Sequence, residues 1–330
     1  MLTDTLKTLL AVYGPSGREE KVAETVKKLL SNADVTFEKD TMGNLFVEKK
    51  GSGDGKVIML SAHMDQIGLI VTDIEKDGFL RVTNVGGIGK DVYTPRAIVF
   101  ENGVRGVVTC QPVKGAEPAL SDLFVDIGAE SRGEAEEKVM PGDICVFAPA
   151  FSRLGEYRVS APAMDDRCAC ALLAELMLSV QYPRNTLIAC FSVQEEVGLR
   201  GAAVAAYGKD PDLGIGLDVT AWGDTPETKL PAVRLGNGAA VKYMDRSLVC
   251  SPFVRDALIA AANECGAAWQ PEILPFGGND AGAIQHARAG IPAGTLSIPC
   301  RYVHSACETI DMRDMDAALE ILKTIADAEL

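Results

Sequence analysis

Apolar residues follow two different spacings along this chain, and together they predict an α/β fold. Residues 57–62 and 185–190 form nearly continuous apolar runs, which is typical of strands buried in a parallel sheet. Apolar residues at helical spacing indicate amphipathic helices, including the C-terminal segment 315–330. Ser16 and Glu19 have the spacing of a capping box in front of another such helix. We therefore expect a buried sheet that amphipathic helices cover.

The pattern changes between residues 67 and 160. Short alternating segments follow one another there, separated by Asp-Gly, Gly-Gly and Asn-Gly turns, and one brief helix is capped by Ser131. This region is predicted to be small and mostly β. The α/β pattern resumes after it, so we expect an α/β domain of residues 1–66 and 161–330 that a β-rich domain of residues 67–160 interrupts.

The composition fits a globular protein and argues against two classes of partner. Of the 330 residues, 47% are hydrophobic and 24% are charged, which is ordinary for a globular chain. The 32 basic and 46 acidic residues give a net charge of −14. Because nucleic acids and anionic membranes attract basic proteins, we expect neither as the main partner.

The cysteines and the N-terminus predict a cytoplasmic protein. The nine cysteines are odd in number and lack a pairing pattern, and Cys190 lies in a predicted buried strand. This usage favours a reducing compartment. The first residues lack the basic and apolar segments of a signal peptide. No apolar run reaches the roughly 18 residues that a membrane span needs.

Five imidazole or carboxylate side chains occupy comparable places, each just after an apolar strand or at the start of a helix. They are His63, Asp165, Glu196, Asp218 and His304. Taken singly, each has an ordinary explanation: a buried, hydrogen-bonded histidine, a helix cap, or a residue of a strand-end turn. Taken together, five such groups are hard to assign to caps and turns, and neighbouring carboxylates indicate a shared cation.

This set of donors suits a pair of divalent ions. Two ions about 3.5–4 Å apart need one bridging carboxylate and about two further protein ligands each. Imidazole and carboxylate donors suit zinc, cobalt or manganese, and the absence of cysteine from the set disfavours a closed structural zinc site. Asp65, two residues after His63, could accept the second imidazole proton. Glu195 could take the proton of a water that bridges the ions and pass it to a leaving amine.

Five stretches of this sequence resemble a known enzyme family. They are Gly14-Pro-Ser-Gly-Arg-Glu19, Ser61-Ala-His-Met-Asp65, Met164-Asp-Asp-Arg167, Gln194-Glu-Glu-Val-Gly198 with Gly216-Leu-Asp218, and Phe276-Gly-Gly-Asn-Asp-Ala-Gly282 with Arg301-Tyr-Val-His-Ser305. In this order along nearly the whole chain, the combination resembles the dinuclear metallo-aminopeptidases that form tetrahedral dodecamers. That family includes glutamyl, leucyl and deblocking aminopeptidases, and some of its members are named endoglucanases.

The resemblance implies a role for each candidate residue. Asp165 would bridge two divalent ions, zinc or cobalt, and Glu195 would be the general base toward a bridging water. The other ligands would each bind one ion: His63, Glu196, Asp218 and His304. The family also implies a cis peptide between Asp165 and Asp166.

The resemblance also implies the architecture and the partners. The fold would be a mixed-sheet, zinc-peptidase-like catalytic domain with an inserted, β-barrel-like domain that dimerises. Peptides would lose their N-terminal residues, and the chain would form a homo-oligomer, from a dimer to a tetrahedral dodecamer. The preferred N-terminal residue stays open, because Arg301 could favour acidic side chains or could be a structural ion-pair partner.

Three other classes of protein are alternatives. Related metallo-carboxypeptidases and deacetylases use similar ligands, but their extra domain follows the Glu-Glu and Asp ligands, whereas here the insert precedes Asp165. An endoglucanase-type glycoside hydrolase needs two carboxyls facing each other across a cleft; such clefts are commonly lined with aromatic residues, and this chain has two tryptophans. A non-catalytic binding protein would not need Glu195. The aminopeptidase is therefore our prediction.

Overall fold

The β structure of the protein is divided between a large sheet and a separate barrel. A computed structural model describes residues 2–89, 94–112, 118–226, 228 and 232–330. Its helices are α1 (Leu2–Leu10), α2 (Glu20–Leu29), α3 (Arg132–Glu136), α4 (Met164–Ser179), α5 (Arg200–Lys209), α6 (Pro252–Cys265), α7 (Asp280–Gln285) and α8 (Met312–Asp327). Its strands are β1 (Thr36–Lys39), β2 (Leu45–Lys49), β3 (Val57–His63), β4 (Gly68–Ile74), β5 (Leu80–Val85), β6 (Arg96–Phe100), β7 (Arg105–Cys110), β8 (Leu123–Asp126), β9 (Ile144–Phe147), β10 (Ser152–Leu154), β11 (Arg158–Ala161), β12 (Thr186–Ser192), β13 (Leu213–Thr220), β14 (Ala239–Met244), β15 (Trp269–Ile273), β16 (Ala293–Arg301) and β17 (Glu308–Asp311).

Four parallel strands form the centre of the large sheet. In the described part of the chain this sheet has 11 strands in the order β1-β2-β12-β3-β13-β16-β17-β11-β10, and β14 joins β15 to β16. The strands β12, β3, β13 and β16 are parallel to one another, and nearly all of their residues are buried. The two predicted parallel strands are β3 and β12, and His63 lies opposite Ser192 in their register. The carboxyl ends of all four strands therefore lie at the same edge.

Helices cover both faces of this sheet because its central strands are apolar on both sides. Ile58 and Leu60 of β3 belong to one core, in which α4 packs against β3 and β13. Met59, between them, belongs to a second core with residues of α5 and α7. Alternate residues of a strand point to opposite faces, so the sheet is a middle layer between two layers of helices.

The barrel closes through six strands and has its own core. Its order is β4-β5-β8-β7-β6-β9, and β9 pairs with β4 to complete it. Leu69, Val82, Val108 and Val125 are among its buried residues. A closed barrel leaves no unpaired sheet edge. The predicted mixed α/β fold with a β-barrel-like insert is confirmed.

The division into domains stays a prediction. The barrel strands extend from Gly68 to Phe147, which lies within the predicted insert of residues 67–160. However, β10 is also within that range and pairs with β11 of the large sheet. The dimerising role of the insert is likewise untested.

The predicted capping box at Ser16 is wrong. Helix α2 begins at Glu20, and its N-cap residue Glu19 makes no side-chain cap hydrogen bond. The Ser16 hydroxyl instead donates to the carboxylate of Asp65 at 2.6 Å. Asp65 is fully buried, and a buried carboxylate needs donors more strongly than an accessible helix end does. The predicted cap at Ser131 is confirmed, since its side chain accepts from the amide of Glu134.

Two further observations concern the predicted environment. Among the described residues, Cys190 and the other buried cysteines are thiols and form no disulfide. Within the described ranges, none of the helices combines the length and the apolar character that crossing a bilayer requires. The cytoplasmic location stays a prediction.

Candidate metal centre

The carboxyl ends of the parallel strands bring the five predicted ligands to one edge of the large sheet. His63 is the last residue of β3, and Asp218 lies near the end of β13. Glu196 follows β12 after a short turn, and His304 follows β16. Asp165 approaches from the start of α4, where its own backbone is not helical (φ −76°, ψ 103°). Open α/β sheets commonly place ligand sites at this edge.

Asp165 lies between the two imidazoles. Its Oδ1 is 3.0 Å from His63 Nε2, and its Oδ2 is 3.2 Å from His304 Nε2. Each imidazole nitrogen also faces a second carboxylate: His304 Nε2 is 3.3 Å from Glu196 Oε2, and His63 Nε2 is 3.9 Å from Asp218 Oδ1. The two halves of the site therefore share Asp165.

Two groups of possible metal ligands result from this arrangement. The donor atoms of His63, Glu195 and Asp218 lie within 4.8 Å of one another, as do those of His63, Asp165 and Glu196. Glu195, which we predicted as a base, thus lies beside the ligands, with its Oε2 3.9 Å from His63 Nε2. The structure brings every predicted ligand to this site, and their individual roles stay predictions.

Burial and repulsion raise the pKa of Glu195 and Asp218, whereas the burial of Asp165 is outweighed by the two imidazoles, which lower its pKa. Burial raises the pKa of Glu195 well above its usual value; Asp218 and Glu196 raise it further, while His63 acts in the opposite sense. Burial also raises the pKa of Asp218, and the charge of Asp165 adds to the effect. Carboxylates packed this closely are stabilised by a cation among them.

The surroundings of the two imidazoles favour their positively charged form. Burial lowers the pKa of His63, but Glu195 and Asp165 raise it by more, so that it lies well above its usual value. Burial also lowers the pKa of His304, yet Asp165 and Glu196 raise it to about 12. Both shifts show that positive charge is favoured at this position.

The donor set fits a divalent ion. Glu196 Oε1 is buried and has no hydrogen-bond partner among the described residues, although buried polar atoms in proteins nearly always have one. The side chain of Glu196 is 3% exposed and that of Asp165 is 7% exposed, so water satisfies them poorly. Nitrogen and carboxylate oxygen donors without a thiolate are typical of zinc, cobalt or manganese sites that keep open positions.

Asp65 holds the backbone of the two glutamates. Its carboxylate accepts hydrogen bonds from the amides of Glu195 (2.9 Å) and Glu196 (3.2 Å) in addition to the Ser16 hydroxyl. His63 Nδ1 is 3.0 Å from the backbone oxygen of Asp65 and 3.5 Å from its carboxylate. The backbone oxygen is therefore the nearer acceptor for the imidazole, and the carboxylate mainly orients the turn after β12.

Glu308 supports the opposite side of the site in the same way that Asp65 supports the two glutamates. No sequence pattern indicates this role. Its Oε2 accepts from the amide of Asp165 at 3.0 Å, and its Oε1 accepts from the amide of His304 at 2.7 Å. The side chain is buried. The sequence offers only a weak signal for it, an acid four residues after His304 in the short segment Glu308-Thr-Ile-Asp311. Glu308 thus joins the backbones of two predicted ligands that are distant in sequence.

Arg167 connects the same region to the N-terminal helix. The predicted cis peptide between Asp165 and Asp166 is confirmed, and Arg167 follows it with a fully buried side chain. Its guanidinium donates five hydrogen bonds, to four backbone oxygens and one side-chain oxygen. The acceptors are Met64 O, Leu9 O, Val12 O, Gly14 O and Gln66 Oε1, at 2.8–3.2 Å.

A loop of the barrel reaches the site through two glycines. An added Cβ at Gly87 would lie 3.0 Å from Nδ1 of His304, and one at Gly86 would lie 3.1 Å from Cβ of Glu196. Gly86 also has a positive φ of 80°. The Gly-Gly pair, which the sequence predicts as a turn, therefore also lets the barrel loop pass close to two predicted ligands.

A cavity of about 690 Å³ opens over the site, a volume typical of small-molecule pockets. Asp165, Glu195, Glu196, Asp218 and His304 line it together with Lys242. Its apolar wall consists of Leu199, Val219, Trp222, Leu274, Phe276 and Val303. The cavity thus combines a charged cluster with an apolar surface large enough for a side chain.

Comparisons with known proteins identify the family. Residues 43–321 match the model of the M42 glutamyl aminopeptidase family. The chain is 35% identical to the lysyl aminopeptidase of Pyrococcus furiosus, over 98% of this chain and 96% of that protein. An aminopeptidase of the archaeon Desulfurococcus kamchatkensis superposes with a TM-score of 0.94 at 34% identity, covering 99% of this chain and 94% of that one. The TET1 peptidase of Pyrococcus horikoshii, which can assemble into a tetrahedron or a large octahedral shell, superposes with a TM-score of 0.89 at 32% identity, with full coverage of both chains.

These findings confirm the resemblance that five sequence stretches predicted. The family match covers well over half of the chain, and the relatives align over nearly all of it. The chain belongs to the M42 glutamyl aminopeptidase family.

Proposed function

We propose that this protein is a metal-dependent aminopeptidase that removes N-terminal residues from peptides at a dinuclear centre. The observation that carries the proposal is the position of Asp165, whose two carboxylate oxygens face two different imidazoles at 3.0 and 3.2 Å. Such a carboxylate suits a bridge between two ions. Membership of an aminopeptidase family supports the class of reaction.

Five side chains would hold the two ions. Asp165 would bridge them, and the ligands to one ion each would be His63, Glu196, Asp218 and His304. When bound, zinc or cobalt ions polarise the scissile carbonyl and acidify the attacking water. The raised pKa values of Glu195 and Asp218 support this assignment, as does Glu196 Oε1, which has no hydrogen-bond partner in the described part of the chain.

Glu195 would act as the general base and then as the general acid. Its carboxylate lines the cavity and its side chain is 11% exposed, so it is accessible to a substrate and partly shielded from bulk water. It would take a proton from the attacking water and deliver it to the leaving amine when the peptide bond breaks. Asp65 would orient Glu195 through the backbone amide that it binds.

Removing and restoring the metal tests the proposal. The protein is stripped with a chelator, then assayed with aminoacyl p-nitroanilides before and after addition of zinc or cobalt. We expect no hydrolysis by the stripped protein, restored hydrolysis with metal, and two ions per chain by elemental analysis. One ion per chain would refute the dinuclear centre, and full activity after complete removal of metal would refute metal dependence.

The role of Glu195 has a separate test. Glu195→Gln should keep the metal content and lower kcat by at least about 10³-fold, because both proton transfers are lost. The control Glu264→Gln makes the same change on the exposed surface of α6 and should retain full activity. A Glu195→Gln variant that hydrolyses substrate at the normal rate would exclude the general-base role.

Two substrate controls distinguish the alternatives. A peptide with an amidated C-terminus should still lose its N-terminal residues, whereas a carboxypeptidase needs a free C-terminal carboxylate and a deacetylase would release only acetate from an N-acetylated peptide. Carboxymethyl cellulose should not be cleaved, and its cleavage would support the endoglucanase alternative instead.

We also propose that the chain forms a homo-oligomer. The assembly of the Pyrococcus horikoshii peptidase into closed shells supports this, since that chain aligns fully with this one. Light scattering after size-exclusion chromatography would give the subunit number. A monomer at micromolar concentration would contradict the proposal.

A further inference from the structure

The cavity offers an apolar surface for one side chain of the substrate. Among its described lining residues, Leu199, Val219, Leu274, Phe276 and Val303 present hydrocarbon or aromatic groups. Leu274 and Val219 are themselves almost fully buried. A substrate side chain in contact with them would leave water for an apolar environment.

Trp222 completes this surface without offering a polar group. Its indole N–H donates to the hydroxyl of Thr225 at 2.7 Å, so this donor is already used. Its ring packs edge to face against Tyr302, with 5.6 Å between the ring centroids. These two contacts fix the ring, so Trp222 presents an apolar face to the cavity.

The basic residue that lines the cavity is neutralised by two acids. Apart from His304, Lys242 is the basic residue among the described lining side chains. Its Nζ lies 2.8 Å from Glu272 and 3.0 Å from Asp245, and all three side chains are at most 2% exposed. Two carboxylates outweigh one ammonium, so this group does not give the cavity a positive potential.

Arg301 is not available to an acidic substrate either. It forms two hydrogen bonds with Asp224, at 2.8 and 2.6 Å, and is absent from the described lining of the cavity. The sequence allows Arg301 either to favour acidic substrates or to form a structural ion pair, and in the structure it forms the ion pair.

From these observations, and resting on the proposed aminopeptidase function, we infer that the enzyme selects peptides with an uncharged apolar N-terminal side chain, such as leucine, methionine or phenylalanine. A glutamate side chain would lose its hydration beside the apolar wall and find no unpaired lysine or arginine among the described residues that line the cavity. Among the described lining residues, a lysine side chain would find no carboxylate apart from the general base Glu195 and the acids assigned to the metals. The inferred preference differs from the glutamyl description of the family and from the lysyl name of one relative.

A panel of substrates tests the inference. The metal-loaded enzyme is assayed with the p-nitroanilides of leucine, methionine, phenylalanine, glutamate and lysine, which share one leaving group. We expect kcat/KM for the best apolar substrate to exceed that for glutamate and lysine by about 100-fold or more, because a charge without a partner is costly in a desolvated pocket. A glutamate or lysine substrate that equals the apolar ones would overturn the inference and leave the aminopeptidase proposal intact. Hydrolysis of none of the five would instead count against the aminopeptidase itself.

A substitution tests the electrostatic part of the argument. Glu272→Gln removes one of the two charges that neutralise Lys242, so the ratio of glutamate to leucine hydrolysis should rise by about tenfold. The control Glu320→Gln makes the same change on the exposed face of α8 and should leave the ratio unchanged. An unchanged ratio in folded Glu272→Gln would overturn the electrostatic explanation, and if that variant does not fold, the substrate panel still decides the preference.

Discussion

Replacing Arg167 by lysine tests whether directed hydrogen bonds, and not charge alone, hold together the chain segments next to the metal site. The guanidinium is fully buried and donates five hydrogen bonds to oxygens near the end of α1, at the Gly14 turn and after His63. Lysine keeps the charge but has three donors instead of five, so at least two of these buried oxygens lose their partner. Hydrogen bonds with a charged donor contribute about 1.5–3 kcal/mol each, so the free energy of unfolding should fall by about 3–6 kcal/mol.

Urea unfolding at fixed protein concentration measures this loss. With a slope of about 3 kcal/mol per molar urea, the midpoint should fall by about 1–2 M. The matched control is Arg132→Lys, which changes an exposed arginine of α3 that pairs with Glu136 and Asp73 and should cost less than about 1 kcal/mol. If Arg167→Lys shifted the midpoint no more than the control did, the reasoning from five directed hydrogen bonds would be refuted.

Three further substitutions test other contacts. Glu308→Gln should lower the metal affinity and kcat/KM by about 10–100-fold, because a glutamine amide can accept only one of the two backbone hydrogen bonds; an unchanged affinity in a titration against a competing chelator would contradict this. Gly87→Ala should lower kcat by roughly tenfold or more, because the new methyl group presses on His304 and displaces it. Full activity would instead show that the barrel loop moves and leaves His304 in place. Lys49→Met should lower the free energy of unfolding in urea by about 1–3 kcal/mol, because two buried carbonyls at the end of α4 lose the ammonium that binds them; an unchanged midpoint would count against that role.

The sequence was informative where function depends on a side chain at the end of a strand. The buried runs that became β3 and β12 are recognisable because a strand with helices on both faces cannot alternate with polar residues. Once those strands are parallel, their carboxyl ends share an edge, and His63 and Glu196 are near one another without any further information. The barrel was also recognisable, since closely spaced turns separate its short strands.

Other features depend on contacts between segments that no local pattern records. Ser16 and Glu19 have the spacing of a capping box, but the buried carboxylate of Asp65 binds the serine hydroxyl. Arg167 was visible as part of a motif, yet its acceptors are mostly backbone oxygens, which every residue possesses. A backbone acceptor has no signature in the amino-acid sequence, so such a partner can be found only from the folded chain.

Asp65 and Glu308 show why the supports of a site are harder to predict than its ligands. Each is a buried carboxylate that accepts from the backbone amides of two predicted site residues: Glu195 and Glu196 for Asp65, and Asp165 and His304 for Glu308. Because the amides belong to the backbone, these acids constrain where the chain passes, whatever side chain it carries there. A search for donor side chains at strand ends finds the ligands and overlooks such acids, although both kinds of residue are needed to fix the geometry. Asp65 also adds negative charge beside a site already rich in acids, because the opposing effect of its burial is outweighed by His63 and the Ser16 hydroxyl, which lower its pKa.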